Sequence, residues 1–350
     1  KGQKGTMRWL APAAGIAALA IAYAVFSAPR TTGSGRAPNE SATDSTSIHP
    51  APTPVPTPGP DPSRDCLDTN DACPQWASAG ECEKNPAYMI TGCPHSCATC
   101  DKRDPRKRCP FDPSAPGIVQ PGQMTSMFEQ IANGTFDEYG PVAVHSRDPW
   151  VVTFDNFLTA EECDDFLALL KDSDYERSAN VGGLDEHGKF LTSKDSSRTS
   201  ENAWCMKECA EQALTKRLSS RMERITGIPE ANAEYLQVLR YAPGQYYRSH
   251  HDFIPAHMDF QIGPRVYTFF VYLSDVEEGG HTSFPRLNLS VAPKKGRALL
   301  WPSTLPDEPF RKDSRTQHEA MPVIKGTKRA MNYWLHQRDF RTPHGAGCVP

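Results

Sequence analysis

The chain has 350 residues, of which 38% are hydrophobic, and a formal net charge of −4. This length and composition allow one large domain with a buried core, together with smaller additions. So small a net charge excludes the strongly basic character that is typical of nucleic-acid-binding proteins.

The first predicted element is a membrane-spanning helix in the apolar run at residues 9–28. At about 1.5 Å per residue, this run is about 30 Å long and matches the thickness of a bilayer core. Basic residues at positions 1–8 favour a cytoplasmic tail, and therefore a single-pass type II protein with its remainder in the lumen of the endoplasmic reticulum or Golgi. A cleaved signal peptide is the alternative, because Phe26-Ser27-Ala28 resembles a cleavage site, and a buried soluble helix is a third reading.

Residues 29–64 are predicted to form a stalk. They are rich in Pro, Ser, Thr and Gly and end in the run PAPTPVPTPGPDP. Such a composition buries too little apolar surface to fold, and its prolines stiffen the chain into an extended spacer. Glycosylation sequons begin at Asn39, Asn133 and Asn288, and we expect Asn288 to be the least accessible because a tight turn is predicted there.

Residues 65–100 are predicted to form a small disulfide-bonded domain. Six of the 11 cysteines fall here: Cys66, Cys73, Cys82, Cys93, Cys97 and Cys100. So short a segment has too little core to fold alone, so cross-links must stabilise it. An even count in a lumenal protein favours three disulfides; zinc is the alternative, but Cys97 and Cys100 form the one close pair.

The same segment resembles the ShK toxin-like domain. The matching residues are Cys66, Cys73, Trp76-Ala77, Gly80-Glu81-Cys82, Asn85, Tyr88-Met89, Cys93-Pro94, Ser96-Cys97 and Cys100. Sequence alone permits many disulfide connectivities. The resemblance implies one of them, which pairs Cys66 with Cys100, Cys73 with Cys93, and Cys82 with Cys97.

Residues 101–148 have a polar, loop-like composition and are predicted to be a linker, and a globular domain is predicted over residues 149–341. Its first element is a strand in WVVTFDNFL, Trp150 to Leu158. A capping box at Thr159–Glu162 then starts a helix that is predicted to reach about Lys171. A second amphipathic helix is predicted from about Cys205 to Thr226.

Strands dominate the remainder of the chain. The predicted strands are AEYLQVLRYA, RVYTFFVYLSDV, GRALLWPS and RAMNYWLHQRDF. Turn dipeptides such as Pro243-Gly244 and Gly279-Gly280 separate them. Helices followed by many strands predict an α+β fold in which helices pack on a β-sandwich or jelly roll.

The segment YYRSHHDFIP suggests a metal site. Residues i and i+2 of a strand share a face, so His250 lies with Asp252, and His251 points to the other side as a packing or supporting residue. Two histidines and one carboxylate around a metal with open positions are typical of non-haem Fe(II) oxygenases. Downstream candidates for the second histidine are His257, His281, His318, His336 and His344. His318 is favoured because Lys328 follows it, and a cation is needed to bind the far carboxylate of an iron-bound 2-oxoacid.

The surrounding motifs resemble those of the prolyl 4-hydroxylases, which are 2-oxoglutarate- and Fe(II)-dependent dioxygenases of the procollagen-proline 4-dioxygenase type. The matching blocks are Tyr241–Asp252, Arg265–Pro285, Val291–Leu299 and His318–His336. The resemblance spans about Trp150 to Phe340. It implies a double-stranded β-helix (jelly roll) that hydroxylates peptidyl proline at C4 with O2 and 2-oxoglutarate, releasing succinate and CO2.

The resemblance also implies a role for individual residues. The implied Fe(II) ligands are His250, Asp252 and His318. The implied 2-oxoglutarate-binding residues are Lys328, Thr282 and Tyr241. The implied walls of the peptide groove are Arg265, Tyr247, Trp334, His336 and Glu234. Ascorbate is the reductant that such enzymes commonly require, and a proline-rich peptide or protein is the expected substrate.

Two departures leave the peptide preference open: His281 stands where the family often has Glu, and the chain after Pro285 is short. The alternatives are a dioxygenase acting on another side chain, such as lysine, or a non-catalytic secreted binding protein. The remaining cysteines are Cys109, Cys163, Cys205, Cys209 and Cys348. Their odd count leaves at least one unpaired within the chain, and pairing of Cys205 with Cys209 or with partners elsewhere stays open.

Overall fold

A computed structural model describes residues 66–185 and 190–349. The predicted anchor at residues 9–28, the predicted stalk at 29–64 and the sequon at Asn39 lie outside these residues. In the part of the chain that is described, no helix has the length and apolar character needed to cross a membrane.

The disulfide-bonded domain consists of three short helices: α1 (Cys73–Ser78), α2 (Glu81–Lys84) and α3 (Pro86–Gly92). Disulfides join Cys66 to Cys100, Cys73 to Cys93, and Cys82 to Cys97, which is the pairing that the ShK resemblance implies. The core is small, with Met89 packed against two of these disulfides. Since so little apolar surface is buried, the cross-links carry most of the stability of this domain.

The segment predicted to be a loop-like linker contains regular structure. Its elements are α4 (Pro105–Arg108), α5 (Gln123–Ala132) and β1 (Val142–Arg147). Met124, Phe128 and Ile131 of α5 are fully buried in the main core. Their i, i+4, i+7 spacing is that of a helix face. The loop-like interpretation is therefore wrong for α5 and β1, because the polar residues between these three apolar ones masked the pattern.

The remaining elements include the predicted helices and strands, together with short strands that the sequence pattern did not predict. The helices are α6 (Ala160–Ala168), α7 (Glu208–Glu211), α8 (Ala213–Thr226) and α9 (Arg341–Gly345). The strands are β2 (Trp150–Phe154), β3 (Glu176–Arg177), β4 (Asn180–Leu184), β5 (Phe190–Ser193), β6 (Glu201–Cys205), β7 (Leu236–Tyr241), β8 (Tyr247–His250), β9 (Arg265–Tyr272), β10 (Glu278–Gly279), β11 (Thr282–Phe284), β12 (Leu289–Val291), β13 (Ala298–Pro302), β14 (His318–Ala320), β15 (Val323–Lys325) and β16 (Lys328–His336).

These strands build two facing sheets. The large sheet has the order β1-β2-β13-β9-β16-β7-β6-β3, and the smaller one has the order β12-β11-β14-β8. Alternate residues of the large sheet face opposite ways: Val152 and Phe269 pack against α5, α6 and α8, whereas Val151 and Phe270 pack toward the smaller sheet. The short ribbons β10-β15 and β4-β5 lie beside them. This arrangement is consistent with the predicted jelly-roll core with packed helices.

The two predicted helices differ from expectation at their ends. The capping box is present, since the Thr159 hydroxyl accepts from the Glu162 amide and the Glu162 carboxylate accepts from the Thr159 amide, but α6 ends at Ala168. The predicted second helix is wrong at its start. Cys205 is the last residue of β6, paired in register with Leu236, and its disulfide to Cys209 turns the chain before α7 and α8.

The other cysteines and sequons are also placed. Cys109 is bonded to Cys348, and Cys163 is buried and unpaired. Asn133 is exposed after α5. Asn288 is exposed as well, in a turn with φ of 49°, so the predicted turn is present but the asparagine in it is accessible.

At Gly140, just before β1, the backbone conformation and the close packing both require glycine. Its φ is +97°, and a Cβ atom there would lie 1.6 Å from the carbonyl oxygen of Asp155. We expect Gly140→Ala to lower the free energy of unfolding by more than about 3 kcal/mol, because backbone strain of roughly 1–3 kcal/mol adds to this clash. Gly227→Ala is the control, since Gly227 also has positive φ but open space around it. Urea unfolding that shows equal losses for the two variants would contradict this account.

Candidate metal centre and co-substrate pocket

Three predicted ligands converge between β8 and β14. These strands are antiparallel neighbours, and His250 lies directly opposite His318. Nε2 of His250 is 4.0 Å from Oδ1 of Asp252, and Nε2 of His318 is 3.6 Å from Oδ2 of Asp252. One nitrogen or oxygen atom from each side chain lies within 4.8 Å of the others. In residues 66–185 and 190–349, this is the one group of three such side chains that fits a metal ion.

Backbone carbonyls fix the tautomers of the two histidines. Nδ1 of His250 is 2.9 Å from the Arg248 carbonyl oxygen, and Nδ1 of His318 is 3.0 Å from the Thr316 carbonyl oxygen. A carbonyl oxygen only accepts hydrogen bonds, so each Nδ1 carries the hydrogen. Each Nε2 therefore keeps its lone pair, which is the state that a metal-binding histidine requires.

Asp252 is held ionised in a buried position. Burial raises the pKa of this carboxyl. The adjacent His318 and His250 rings, Arg265 and a hydrogen bond lower it by more, so that the net pKa is about 2. The hydrogen bond comes from the Thr268 hydroxyl, 2.6 Å from Oδ2. Sequence reasoning assigned Thr268 no role, although it is the threonine of the Arg265-Val-Tyr-Thr268 motif.

His251 cannot join the metal group in this conformation. Its Nδ1 accepts a hydrogen bond from the Phe253 amide, and its Nε2 lies 2.7 Å from the Asp313 carbonyl oxygen. Both ring nitrogens are therefore engaged by the backbone. The other candidates, His257, His281 and His344, do not join the cluster among the described residues.

Lys328 is a buried cation with no polar partner in the described part of the chain. It is the first residue of β16 and pairs in register with Tyr241. Its Nζ has no hydrogen-bond partner among the described residues and lies 5.4 Å from the ring centroids of Tyr241, Phe270 and Tyr272. Burial lowers the pKa of Lys328 to about 7. Leaving an ammonium unpaired in such a site is costly, so this site fits an anionic group.

Hydroxyl groups surround the same site. Thr282 is buried, and its Oγ1 accepts a hydrogen bond of 2.7 Å from the Tyr272 hydroxyl. The Thr282 hydrogen is thereby left to donate to another acceptor. Tyr241 is also buried beside Lys328. Tyr272 was not predicted as a site residue, and only its neighbourhood in the folded sheet reveals it.

The predicted peptide groove contains an ion pair beneath an aromatic ring. Arg265 donates to both carboxylate oxygens of Glu234, and its terminal nitrogen is 2.9 Å from Oε2. The same guanidinium lies 3.8 Å from the Trp334 ring centroid. Tyr247, Trp334, Arg265 and Glu234 all line a cavity of about 440 Å³ that also contains the metal cluster.

His336 lies behind this wall and not on it. It is fully buried, with Nε2 2.9 Å from Glu234 Oε1 and Nδ1 2.9 Å from the Gly263 carbonyl oxygen. The groove-lining prediction is therefore wrong for His336, which supports Glu234.

Comparison with known sequences identifies the same two regions. Residues 236–336 match the 2OG-Fe(II) oxygenase superfamily, and residues 65–100 match the ShK domain-like family. A probable prolyl 4-hydroxylase 8 of Arabidopsis thaliana is 33% identical over 243 residues, which are 64% of this chain and 80% of that protein. Prolyl 4-hydroxylase 5 of the same plant is 32% identical over 243 residues and is also covered over 80% of its length.

Other relatives differ in how much of their length is matched. Prolyl 4-hydroxylase subunit alpha-1 of Gallus gallus is 35% identical over 216 residues, and this chain covers 40% of that subunit. A solved structure of viral collagen prolyl hydroxylase from Paramecium Bursaria Chlorella virus-1 is 28% identical, with a TM-score of 0.43, covering 53% of this chain and 95% of the viral one. The plant relatives are matched over most of their length, and by that measure this chain belongs to the prolyl 4-hydroxylase family of 2-oxoglutarate- and Fe(II)-dependent oxygenases.

Proposed function

We propose that this chain hydroxylates peptidyl proline at C4. One atom of O2 enters the proline and the other enters succinate, which forms with CO2 from 2-oxoglutarate. The observation that carries this proposal is the position of Lys328. Its ammonium has no polar partner among the described residues. It lies behind Tyr241 and Phe270, which line the cavity that contains the metal cluster.

In this proposal, Fe(II) is held by Nε2 of His250, Nε2 of His318 and a carboxylate oxygen of Asp252. Bound iron supplies the activation of O2, which no side chain can provide. The protein contributes orientation: the backbone acceptors hold both imidazoles, and the Thr268 hydroxyl holds one oxygen of Asp252. Thr268 is a positioning residue because it acts through Asp252.

The co-substrate is oriented by its far carboxylate. Lys328 and the Thr282 hydroxyl bind this carboxylate, and the rings of Tyr241, Phe270 and Tyr272 exclude water from the pair. A charge pair is strengthened in such a low-dielectric site. The 2-oxo end of the molecule is thereby directed toward the metal.

The substrate proline lies against Tyr247 and Trp334. An apolar ring packs well on an aromatic face, so these two side chains suit a prolyl ring. Glu234 holds Arg265 under Trp334. Burial raises the pKa of Glu234, but Arg265 and His336 lower it by more, to well below its usual range. The Glu234 carboxylate therefore stays ionised and keeps Arg265 in place.

We also propose that the enzyme works in the secretory pathway, where the predicted anchor would place it. The five disulfides of the described residues support an oxidising compartment. A requirement for ascorbate, single-pass membrane attachment and glycosylation stay predictions.

The activity is tested with purified protein, Fe(II), 2-oxoglutarate, ascorbate and a proline-rich peptide. We expect succinate and peptidyl 4-hydroxyproline to form in equal amounts, measured by mass spectrometry. A matched peptide with lysine in place of each proline should give only the slow succinate formation seen without peptide. Hydroxylysine as the main product would overturn the proposed substrate class.

The metal assignment is tested by comparing two adjacent histidines. We expect His250→Ala to weaken Fe(II) binding roughly 100-fold or more, since even residues that only support a ligand commonly contribute 10–100-fold. His251→Ala is the matched control and should weaken Fe(II) binding at least about tenfold less than His250→Ala, because its ring nitrogens bond to the backbone and not to the metal group. Anaerobic calorimetry measures both affinities, and equal losses would show that the wrong face was chosen.

Lys328→Ala should raise the KM for 2-oxoglutarate roughly 30-fold or more, because it removes one partner of a buried charge pair. Lys325→Ala is the control, since that lysine is exposed on β15. In the unmodified protein, the ammonium is lost as pH rises through the Lys328 pKa of about 7, so the KM should also rise there. A KM for 2-oxoglutarate that is unchanged in Lys328→Ala, with only peptide binding altered, would contradict this role.

A further inference from the structure

The cavity continues beyond the metal cluster to the end of the chain. Its far end is lined by Tyr235, Phe340, His344 and Val349. Tyr235 directly precedes β7, whereas Tyr241, the register partner of Lys328, is the last residue of that strand. At about 3.3 Å per residue, this strand separates the two tyrosines by about 20 Å. The far end therefore does not overlap the 2-oxoglutarate site.

The residues that form this end, 340–349, are called the C-terminal tail below. Arg341 fastens the tail to the groove: its Nε donates to the Ala233 carbonyl oxygen, and one terminal nitrogen donates to the Glu234 carbonyl oxygen at 3.0 Å. The same guanidinium lies 3.6 Å from the ring centroid of Tyr235. Because Glu234 also pairs with Arg265, the tail and the peptide groove share one anchor.

The far end presents rings and apolar side chains. The His344 ring is edge-on to Tyr235 at 5.5 Å and stacked on Phe340 at 5.3 Å. Burial lowers the pKa of His344, so this ring is neutral at pH 7. Tyr235 and Val349 are only partly buried and pack on a small cluster that includes Phe340. Partly exposed rings of this kind suit proline-rich peptides, whose extended helix presents apolar rings at low entropic cost.

The outer side of the tail contacts the ShK-like domain and is bonded to the segment that follows it. Cys348 is disulfide-bonded to Cys109, which follows that domain. At Gly347, a Cβ atom would come within 2.9 Å of the Ala87 Cα in α3, so the two backbones are in close contact. The disulfide and this contact fix the tail from outside, as Arg341 fixes it from inside.

We propose that Tyr235, Phe340, His344 and Val349 form a second peptide subsite. It receives an apolar residue of the substrate, above all a proline, that lies several residues away from the proline being hydroxylated. The inference rests on the proposed function, since it extends the groove of a peptide hydroxylase. The α3 helix of the ShK-like domain, and Cys109 in the segment that follows that domain, hold this subsite in place. The enzyme therefore binds long proline-rich chains more tightly than short ones.

The test measures binding of fluorescent proline-rich peptides by anisotropy, with 2-oxoglutarate and with Mn(II) in place of iron so that no turnover occurs. One peptide has about 15 residues, roughly 45 Å as an extended polyproline helix, and the other has about five. The long peptide has more prolines, so its affinity is first corrected for that number. After this correction, we expect the full chain to bind it about 3- to 10-fold more tightly than the short peptide, as one aromatic stacking contact would give.

Variants of the subsite should remove this length preference. Tyr235→Ala and His344→Ala should each reduce the affinity ratio to the factor due to proline number alone, and Cys109→Ser and Cys348→Ser should each reduce it by a similar amount. Tyr175→Ala is the matched control and should keep the ratio. Tyr175 is another partly buried tyrosine beneath an arginine, at 4.3 Å from Arg240, but it does not line the cavity.

Three results would overturn the subsite: equal affinity of the unmodified chain for both peptides after correction for proline number, absence of binding to either peptide, or an equal loss for both peptides in Tyr235→Ala. Failure of the proposed function is observed separately. A chain that shows the length preference but forms no succinate with iron would retain the subsite and contradict the hydroxylase activity.

Discussion

The candidate active site depends on the pairing of β8 with β14. This pairing sets His250 opposite His318, and the carbonyls of Arg248 and Thr316 then hold each Nδ1 as a donor. Both Nε2 lone pairs are thereby available on the side where Asp252 lies. A shift of one residue in this register would turn one imidazole to the other face of the sheet and would separate the ligands.

A second constraint is electrostatic. Lys328 lies among aromatic rings without a polar partner among the described residues, an arrangement that costs stability unless an anion binds. Unfavourable burial of this kind is expected at a binding site, where the ligand supplies the polar partner that the protein does not. The ion pair of Glu234 and Arg265 is different, because it is complete in the protein and serves to orient the groove. Lys328 and Arg265 thus have separate tasks.

Local pattern predicted part of this site and long-range contacts determined the remainder. The two-residue period of a strand was enough to select His250 over His251. The need for a nearby cation favoured His318 with Lys328, and the family resemblance implied the same two residues. The support from Thr268 and Tyr272 could not be predicted, because each hydrogen bond crosses between segments that pair only in the folded sheets. The error at His336 arises because its ring is covered by Glu234 and the Gly263 carbonyl, which are distant in the chain and meet it only in the folded sheet. Cys109 and Cys348 are separated by 239 positions, so their bond, and with it the tail at the cavity end, was beyond sequence reasoning.

The most direct measurement of the central claim is anomalous X-ray diffraction from crystals grown without oxygen in the presence of Fe(II) and 2-oxoglutarate. The account predicts one iron peak within bonding distance of both Nε2 atoms and an Asp252 oxygen, with the distal carboxylate of the co-substrate on the Lys328 ammonium. Iron bound elsewhere, or Asp252 turned away from His318 with Lys328 still unpaired, would contradict it.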